Sequence, residues 1–252
     1  MKLKDKVAIV TGAGSGMGQA IALHFSDLGA KVVVSDINEE AVHHVVNEIK
    51  ENDGIALGIV ANVSVQEDVD YLIQTTMDTY EGLDILVNNA GILDNFIPVG
   101  EIIDDEWDKV IAVNLTGPMK LSRAAIQVMD KQEHGGVIIN NASVGGLFGS
   151  RGGAAYTASK HGLLGLTKNI AATYGTFGKI RCNAIAPGGV KTNIQTTITK
   201  PSGLGYKALE NAGPGPLAES NEIAQVAGFL ASDESSFVNG AIITADGGWT
   251  AR

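Results

Sequence analysis

Cysteine occurs once in 252 residues, at Cys182, so no disulfide can close within the chain, and five scattered histidines supply no Cys/His ligand cluster. Disulfide scaffolds and zinc folds are excluded, and no metal is expected. Basic residues are in deficit, with 18 Lys plus Arg against 28 Asp plus Glu and a formal net charge of −10. That sign is wrong for gripping a phosphate backbone, so nucleic acid drops out as a principal partner. Long hydrophobic runs are missing as well. The uncharged stretch from Gly135 to Ser150 is 16 residues long and contains five Gly and two Asn, too short and too polar to span a bilayer. Near the N-terminus only Val7 to Val10 intervene between charged residues and Thr11, short of a secretory hydrophobic region. A cytoplasmic address without a membrane partner is expected. No Pro/Ser-rich linker, charge block or internal repeat divides the chain, which favours one domain over residues 1–252.

What is present in excess is glycine, 32 residues, well above the usual ~7% and without a collagen period. In a globular chain such glycines mark sharp turns or close approaches. Short β-branched runs alternate with amphipathic stretches from end to end. Strands are predicted near Val7–Val10, Lys31–Ser35, Ile55–Val60, Ile85–Asn88, Val137–Asn140, Ile180–Ile185 and Ala241–Ala245. Helices are predicted near Met17–Leu28, Glu39–Glu51, Val65–Tyr80, Asp104–Lys131, Ala155–Tyr174 and Asn221–Ala231. Strands apolar on both faces, such as Val7 to Val10, suit a parallel sheet covered by helices on each side, hence a doubly wound α/β fold. Residues 188–218 carry six Gly and three Pro with little periodicity. They read as a long loop, and a loop of that length in a compact domain suggests a substrate lid.

The first strand runs into Thr11-Gly12-Ala13-Gly14-Ser15-Gly16-Met17-Gly18 and then a helical pattern. Strand, glycine turn and helix N-terminus together can cradle a pyrophosphate on backbone N–H groups. The spacing is Gly12-x-x-x-Gly16-x-Gly18 rather than G-x-G-x-x-G, and a tight ligand-free turn is the plain alternative. Asp36 ends the second strand, where a carboxylate can accept hydrogen bonds from adenosine ribose hydroxyls and repel a 2′-phosphate. Ser15 and Ile37 nearby are neutral, so NAD is favoured over NADP as cofactor. Asp36 or Asn38 would also serve as the N-cap of the next helix.

Ser143 follows the fifth strand, and Tyr156 opens a helix with Lys160 four positions on. Residues at i and i+4 share a helix face, so the ammonium can favour the phenolate. At ~4 Å and an effective dielectric of ~20 that attraction is about 4 kcal/mol, or roughly 3 pK units, giving an acid/base poised near neutrality. Asn114 carries a separate signal. Pro118 has no N–H to bond the Asn114 carbonyl, so a kink in the long helix leaves that carbonyl able to hold a water.

With Thr11 to Gly18, Asn88-Asn89-Ala90-Gly91, Asn114, Ser143, Tyr156-x-x-x-Lys160 and Pro187-Gly188 in this order, the chain closely resembles the single-domain short-chain dehydrogenase/reductase family over essentially its whole length. The resemblance implies a strand order of 3-2-1-4-5-6-7 and NAD(P)-dependent interconversion of an alcohol and a ketone. Tyr156 would donate or accept the proton, Ser143 would bond the substrate oxygen, and Lys160 would hold the nicotinamide ribose and lower the Tyr156 pKa. Asn114 would anchor a proton-relay water reached through Lys160. Cofactor contacts are implied at Gly12, Ser15, Gly16, Met17, Gly18, Asp36, Asn62, Val63, Asn89, Ala90, Gly91, Tyr156, Lys160, Pro187, Gly188, Val190 and Thr192. Asn62 departs from the Asp common in relatives, yet keeps an acceptor oxygen for the adenine amine.

The leading reading is an NAD-dependent dehydrogenase of a secondary alcohol or ketone. The alternative, a 3-oxoacyl carrier-protein reductase, would want NADPH and a basic docking patch, against Asp36 and the net charge of −10. Enoyl reductases of the superfamily space Tyr and Lys farther apart. A non-catalytic cofactor-binding regulator is disfavoured because all four catalytic positions carry competent residues. The substrate wall is expected from Leu93, Asp94, Val144, Leu147, Phe148, Ala154, Gly189, Asn193, Leu204 and Tyr206, a set that fits sugars, diols, steroids or ring ketones. Small and apolar residues on several faces of the helices from Asp104 and Ala155, and an open last strand, suggest a second subunit. By resemblance the assembly is a homotetramer with 222 symmetry, with Trp249 partly buried between subunits.

Overall fold

The computed structural model describes residues 1–251. Seven parallel strands form one sheet: β1 (Val7–Thr11), β2 (Lys31–Asp36), β3 (Ile55–Val60), β4 (Ile85–Asn88), β5 (Gly136–Asn141), β6 (Ile180–Pro187) and β7 (Ile242–Ala245). Their spatial order is β3-β2-β1-β4-β5-β6-β7, as the resemblance implied. Ala8 pairs with Val32 and Ile85, placing β1 between β2 and β4 at the point where chain order reverses. Side-chain alternation then sends successive residues into two separate cores. Ala8 and Val10 pack with Ile21 and Phe25 of α1 (Gly16–Asp27), Val45 of α2 (Glu39–Glu51) and Leu230 of α8 (Ser220–Ala231). Ile9 faces the other way, toward Leu72 of α3 (Gln66–Tyr80) and Leu121 and Ala125 of α5 (Gly117–Met129). Both faces of the sheet are thereby covered, which is why its strands tolerate continuous apolar runs.

Two expectations need correction. The helix expected over Asp104–Lys131 is broken into α4 (Asp104–Ile111), a π-helical turn at Ala112–Thr116, and α5. The π turn absorbs the missing Pro118 N–H by widening the backbone. The segment 188–218, read as a loop, is largely structured. Gly189–Val190 pairs in parallel with Leu217–Ala218, a 3₁₀ turn spans Asn193–Thr197, and α7 covers Gly203–Asn211. Gly203 and Gly205 hid that helix, and its starting signal is the Ser202 hydroxyl accepting from Gly205 N. The remaining long helix, α6 (Ala154–Ile170), ends in a second π turn at Ala171–Gly175.

Cys182 lies in β6 and is fully buried, and burial pushes its thiol up to about 12, so it behaves as a small core residue. Among the described residues no helix is long and apolar enough to cross a membrane.

Candidate active site

The carboxyl ends of β1, β2, β4, β5 and β6 open onto one cleft, at the switch point between β1 and β4. Its first compartment, about 240 Å³, is lined by Gly12, Ser15, Gly16, Met17, Gly18, Asp36, Asn89, Ala90, Gly91, Thr192 and neighbours. Its second, about 330 Å³, is lined by Ser143, Tyr156, Pro187, Gly188, Val190, Thr192 and an apolar wall. Met17, Thr192 and Ile194 line both, so the two form one trough from Asp36 to Tyr156.

The glycine turn is packed too tightly for side chains. A Cβ on Gly18 would sit 2.0 Å from the Gly12 carbonyl oxygen, and one on Gly12, at φ +62°, would sit 2.8 Å from Ala90 Cα. Ser15 flanks α1 in extended conformation, and its hydroxyl caps nothing within the helix. Asp36 Oδ2 accepts from Gly14 N at 3.0 Å and Oδ1 from Asn38 N at 3.1 Å. Asn38 is the N-cap of α2, accepting from Ala41 N. The Asp36 carboxylate thus sits at the cleft and fixes the turn, while helix capping falls to its neighbour.

Asn89 staples this turn. Its Nδ2 donates to Thr11 O (2.9 Å) and Gly12 O (3.2 Å), and its Oδ1 accepts from Asn141 Nδ2 (2.8 Å). Asn141, which sequence reading missed, links the two compartments, because its carbonyl also accepts from Lys160 Nζ at 2.9 Å. Asn114 is fully buried. It grips the backbone of Ile92 through both side-chain atoms at 2.9 Å and donates to Ser159 Oγ at 3.2 Å. The π turn and α6 are thereby tied to the loop that follows β4, beside Gly91.

Ser143 Oγ accepts from Gly145 N at 2.9 Å and hydrogen-bonds the Tyr156 phenol. Lys160 lies 5.7 Å from the centroid of the Tyr156 ring. The depressed phenol expected from i,i+4 spacing is not what this pocket produces. Burial raises the Tyr156 pKa, the Ser143 hydrogen bond only partly opposes it, and Asp94 raises it further. Burial likewise pulls Lys160 down to about 8. Desolvation wins because both groups are buried, and burial disfavours the phenolate and the ammonium alike.

Several other expected residues fall elsewhere. Asn62 and Val63 do not line the trough. Asn62 Oδ1 accepts from Ser64 N and Oγ at 3.0 and 2.7 Å, engaging the oxygen expected to face adenine, and Val63 packs on Gly117. Asp94 is not a wall residue: it is fully buried and accepts from Gly153 N and Tyr156 N. Leu147, Phe148, Ala154 and Leu204 lie outside the second compartment, and Asn193 faces the first. Leu93, Val144, Gly189 and Tyr206 do line the wall, joined by Phe96, Arg151, Ile198, Leu209 and Trp249. Trp249 is held in the wall by contacts within the chain, with Nε1 donating to Gly213 O at 3.0 Å and the Arg151 guanidinium 4.1 Å from the ring centroid. Its place so late in the chain gave no local signal.

A family model described as enoyl-(acyl carrier protein) reductase matches residues 12–250. The chain belongs to the short-chain dehydrogenase/reductase family. It is 42% identical to 3beta-hydroxysteroid dehydrogenase 2 of Eggerthella lenta over 252 residues, 99% of this chain and 96% of that protein. It is 38% identical to a 3-oxoacyl-(acyl-carrier-protein) reductase of Thermotoga maritima over 248 residues, 98% of this chain and 99% of the other. Among solved structures, levodione reductase superposes with a TM-score of 0.89 at 34% identity, covering 99% of each chain. Members of this short-chain family are oxidoreductases acting on CH–OH groups.

Proposed function

We propose that this protein is an NAD(H)-dependent oxidoreductase interconverting a secondary alcohol and its ketone, on a substrate carrying an apolar ring. The single observation that carries the reading is the continuity of the trough, which joins Asp36 and the glycine turn to Ser143 and Tyr156 through Met17 and Thr192. A cradle closed to any Cβ and edged by backbone N–H groups fits a pyrophosphate, so the dinucleotide would lie along Gly12, Ser15, Gly16, Met17 and Gly18. Asp36 would take the ribose hydroxyls, and Asn89, Ala90 and Gly91 would border the adenosine half. Pro187, Gly188, Val190 and Thr192 would face the nicotinamide. The nicotinamide, when bound, supplies or removes the hydride.

The chain's own residues supply the rest. Ser143 orients the substrate oxygen with its hydroxyl fixed by Gly145 N. Tyr156, hydrogen-bonded to Ser143, passes the proton at its Oη. Lys160 provides positive charge beside the ring, and the Asn114 main chain offers a carbonyl without an α-helical partner to seat a relay water. Leu93, Phe96, Val144, Ile198, Leu209 and Trp249 make the wall mainly apolar. That composition supports ring alcohols and steroids over sugars, in keeping with what the names of two relatives state of those proteins. A carrier-protein substrate is less well supported, because the net charge of −10 opposes docking of an acidic partner. The same reading takes residues 1–252 as one cytoplasmic domain with a lid over 188–218, assembled as a homotetramer through α4, α5, α6 and the open edge of β7.

The test is turnover of a panel of ring alcohols with NAD and NADP and of their ketones with the reduced cofactors. At least a tenfold preference for NAD(H) in kcat/KM is expected, about 1.4 kcal/mol, collapsing when Asp36→Ala is combined with Ile37→Arg. Equal use of both cofactors by the wild type contradicts the assignment of Asp36.

The pH profile follows from the two buried groups. With the Tyr156 phenol pushed up it stays protonated through neutral pH, whereas Lys160 loses its charge near about 8. Ketone reduction should hold level below that point and decline above it. A rate unchanged to pH ~10 would show that the Lys160 charge is not needed.

A further inference from the structure

Between β4 and α4 the chain makes a bend whose three residues touch different parts of the site. Asp94, fully buried, spends both carboxylate oxygens on the start of α6: Oδ1 accepts from Gly153 N at 2.9 Å and Oδ2 from Tyr156 N at 2.8 Å. Ala154 N donates to Ile97 O at 2.8 Å, and Ile97 N to Asp94 O at 3.2 Å. The N-cap of α6 is Gly153, which has no side chain to cap with. Its lack of a Cβ is what admits the bend, since one would lie 2.6 Å from each Asp94 oxygen and 2.4 Å from Ile97 N. The first turn of α6, the turn that carries Tyr156, is therefore capped from a distant segment.

The next two residues face the lid. Asn95 and Phe96 both adopt left-handed backbone, at φ +55° and +56°, a costly conformation for side-chain-bearing residues that persists only where the surroundings impose it. Asn95 Oδ1 accepts from Thr199 N (2.7 Å) and Lys200 N (3.1 Å), and Asn95 O accepts from Ser202 N (2.9 Å). The Phe96 ring meets Tyr206 of α7 edge-on at 6.3 Å, and the Phe96 carbonyl lies where a Cβ on Gly205 would come within 1.7 Å. One strained dipeptide thus ties the N-terminal end of α7 to a buried carboxylate that grips Tyr156.

We propose that Asp94 is a positioning residue for Tyr156, and that the Asp94–Phe96 bend couples the seating of α7 over the cleft to the placement of the phenol. The inference rests on the reading of Tyr156 as the proton donor and acceptor. A helix whose first N–H groups are fixed by a carboxylate cannot shift its first turn without breaking charge-assisted hydrogen bonds. Movement of α7 pulls on Asn95, and Asn95 is covalently joined to that carboxylate. Asp94 also acts on the phenol through space, adding to the burial that raises its pKa. The other polar groups facing Tyr156 are the Ser143 hydroxyl, Lys160 on the same helix, and Arg151 and Tyr206 across the cleft.

The experiment compares full-length wild type, Asp94→Asn, Asn95→Gly and Tyr156→Phe with a ring ketone and NADH. Asp94→Asn keeps the shape but loses the charge and one of the two acceptors, setting an amide NH2 against a backbone N–H at the start of α6. Its kcat should fall about tenfold or more while NADH affinity stays within about twofold. The Tyr156 phenolate titration, followed by ultraviolet absorbance against the Tyr156→Phe background, should move to lower pH. Asn95→Gly adopts the left-handed bend freely, which offsets the loss of its side-chain hydrogen bonds with Thr199 N, Lys200 N and Glu106, so its melting temperature should stay within a few degrees of wild type. Having lost the clamp on Thr199 and Lys200, it should show a KM for the ketone raised about threefold or more. A wild-type kcat and phenolate midpoint in Asp94→Asn would overturn the positioning role, as would a kcat loss that only tracks unfolded protein with the midpoint unmoved. An unchanged KM in Asn95→Gly would overturn the coupling. If Tyr156→Phe turned over normally, the acid/base reading would fall and this inference with it. If Tyr156→Phe were inactive while Asp94→Asn behaved as wild type, this inference alone would fall.

Discussion

Tyr156→Phe should lose about a hundredfold or more in turnover while keeping its melting temperature within a few degrees and its NADH affinity nearly intact. The ring is nine-tenths buried or more and packs at the mouth of α6, and phenylalanine preserves that volume. Only the hydroxyl is lost. Its hydrogen bond with Ser143 contributes about 1 kcal/mol of net stability, small beside the barrier it is asked to lower. Removing a positioned proton donor costs about two to four powers of ten in rate, and no other phenol stands beside Ser143 in the deep part of the cleft. Tyr206 also lines the cleft, on α7, but it is half exposed and edge-on to Phe96, so it is not placed to substitute. Steady-state rates with NADH and a ring ketone, beside a fluorescence titration of NADH, separate the two effects. Retention of more than about a tenth of wild-type rate would mean that the proton travels by another route.

Gly18→Ala is expected to damage stability and cofactor binding together. A methyl at that position would lie 2.0 Å from the Gly12 carbonyl oxygen and 2.5 Å from Asn89 Nδ2, and the first of these is backbone in the middle of the turn. Nothing flexible is available to give way. Overpacking of this kind costs about 1–3 kcal/mol, and in a chain of this size about 2–4 °C of melting temperature per kcal/mol. The helix can relieve the clash only by backing its first turn away from β1, which also withdraws the N–H groups that would cradle a pyrophosphate. A fall of about 5 °C or more in melting temperature with at least a tenfold loss of NADH affinity should follow. Gly100→Ala, where a Cβ meets nothing within 4 Å, is the control that should change neither. If Gly18→Ala melted and bound like that control, the turn would be looser than its packing implies.

The sheet was legible because each strand is short, β-branched and separated from the next by a long amphipathic stretch, so period and length agreed. The cleft was legible for a related reason: Gly12, Asp36 and Ser143 lie at or just beyond strand ends, and a doubly wound sheet gathers those ends at its switch point. Sequence reasoning failed where the deciding partner is remote. The Tyr156 phenol was expected to be depressed by its local lysine, but burial by the surrounding chain decides its direction, and burial has no signature in four-residue spacing. Asp94 reads as a polar residue near a pocket; only the fold shows that its acceptors serve a helix some sixty residues later. Glycines misled at α7, where Gly203 and Gly205 suppressed a helical pattern that Ser202 nevertheless initiates.

The apolar wall of the cleft draws on segments that contribute no strand to the central sheet: Ile194 in the 3₁₀ turn and Ile198 just after it, Tyr206 and Leu209 of α7, and Trp249 beyond β7. Ser143 and Pro187, by contrast, stand at or just after the ends of β5 and β6, and Tyr156 and Lys160 lie on the helix joining those strands. Mutational drift can therefore reach the wall without touching the strands that carry Ser143 and Pro187. A change of size or polarity on α7 leaves the strand register and the glycine turn untouched, because α7 buries none of its residues in the core. Natural variation can alter the wall at little risk to folding, and directed evolution of this protein has its most tolerant targets at Ile198 and Leu209, which stand clear of the Phe96–Tyr206 contact.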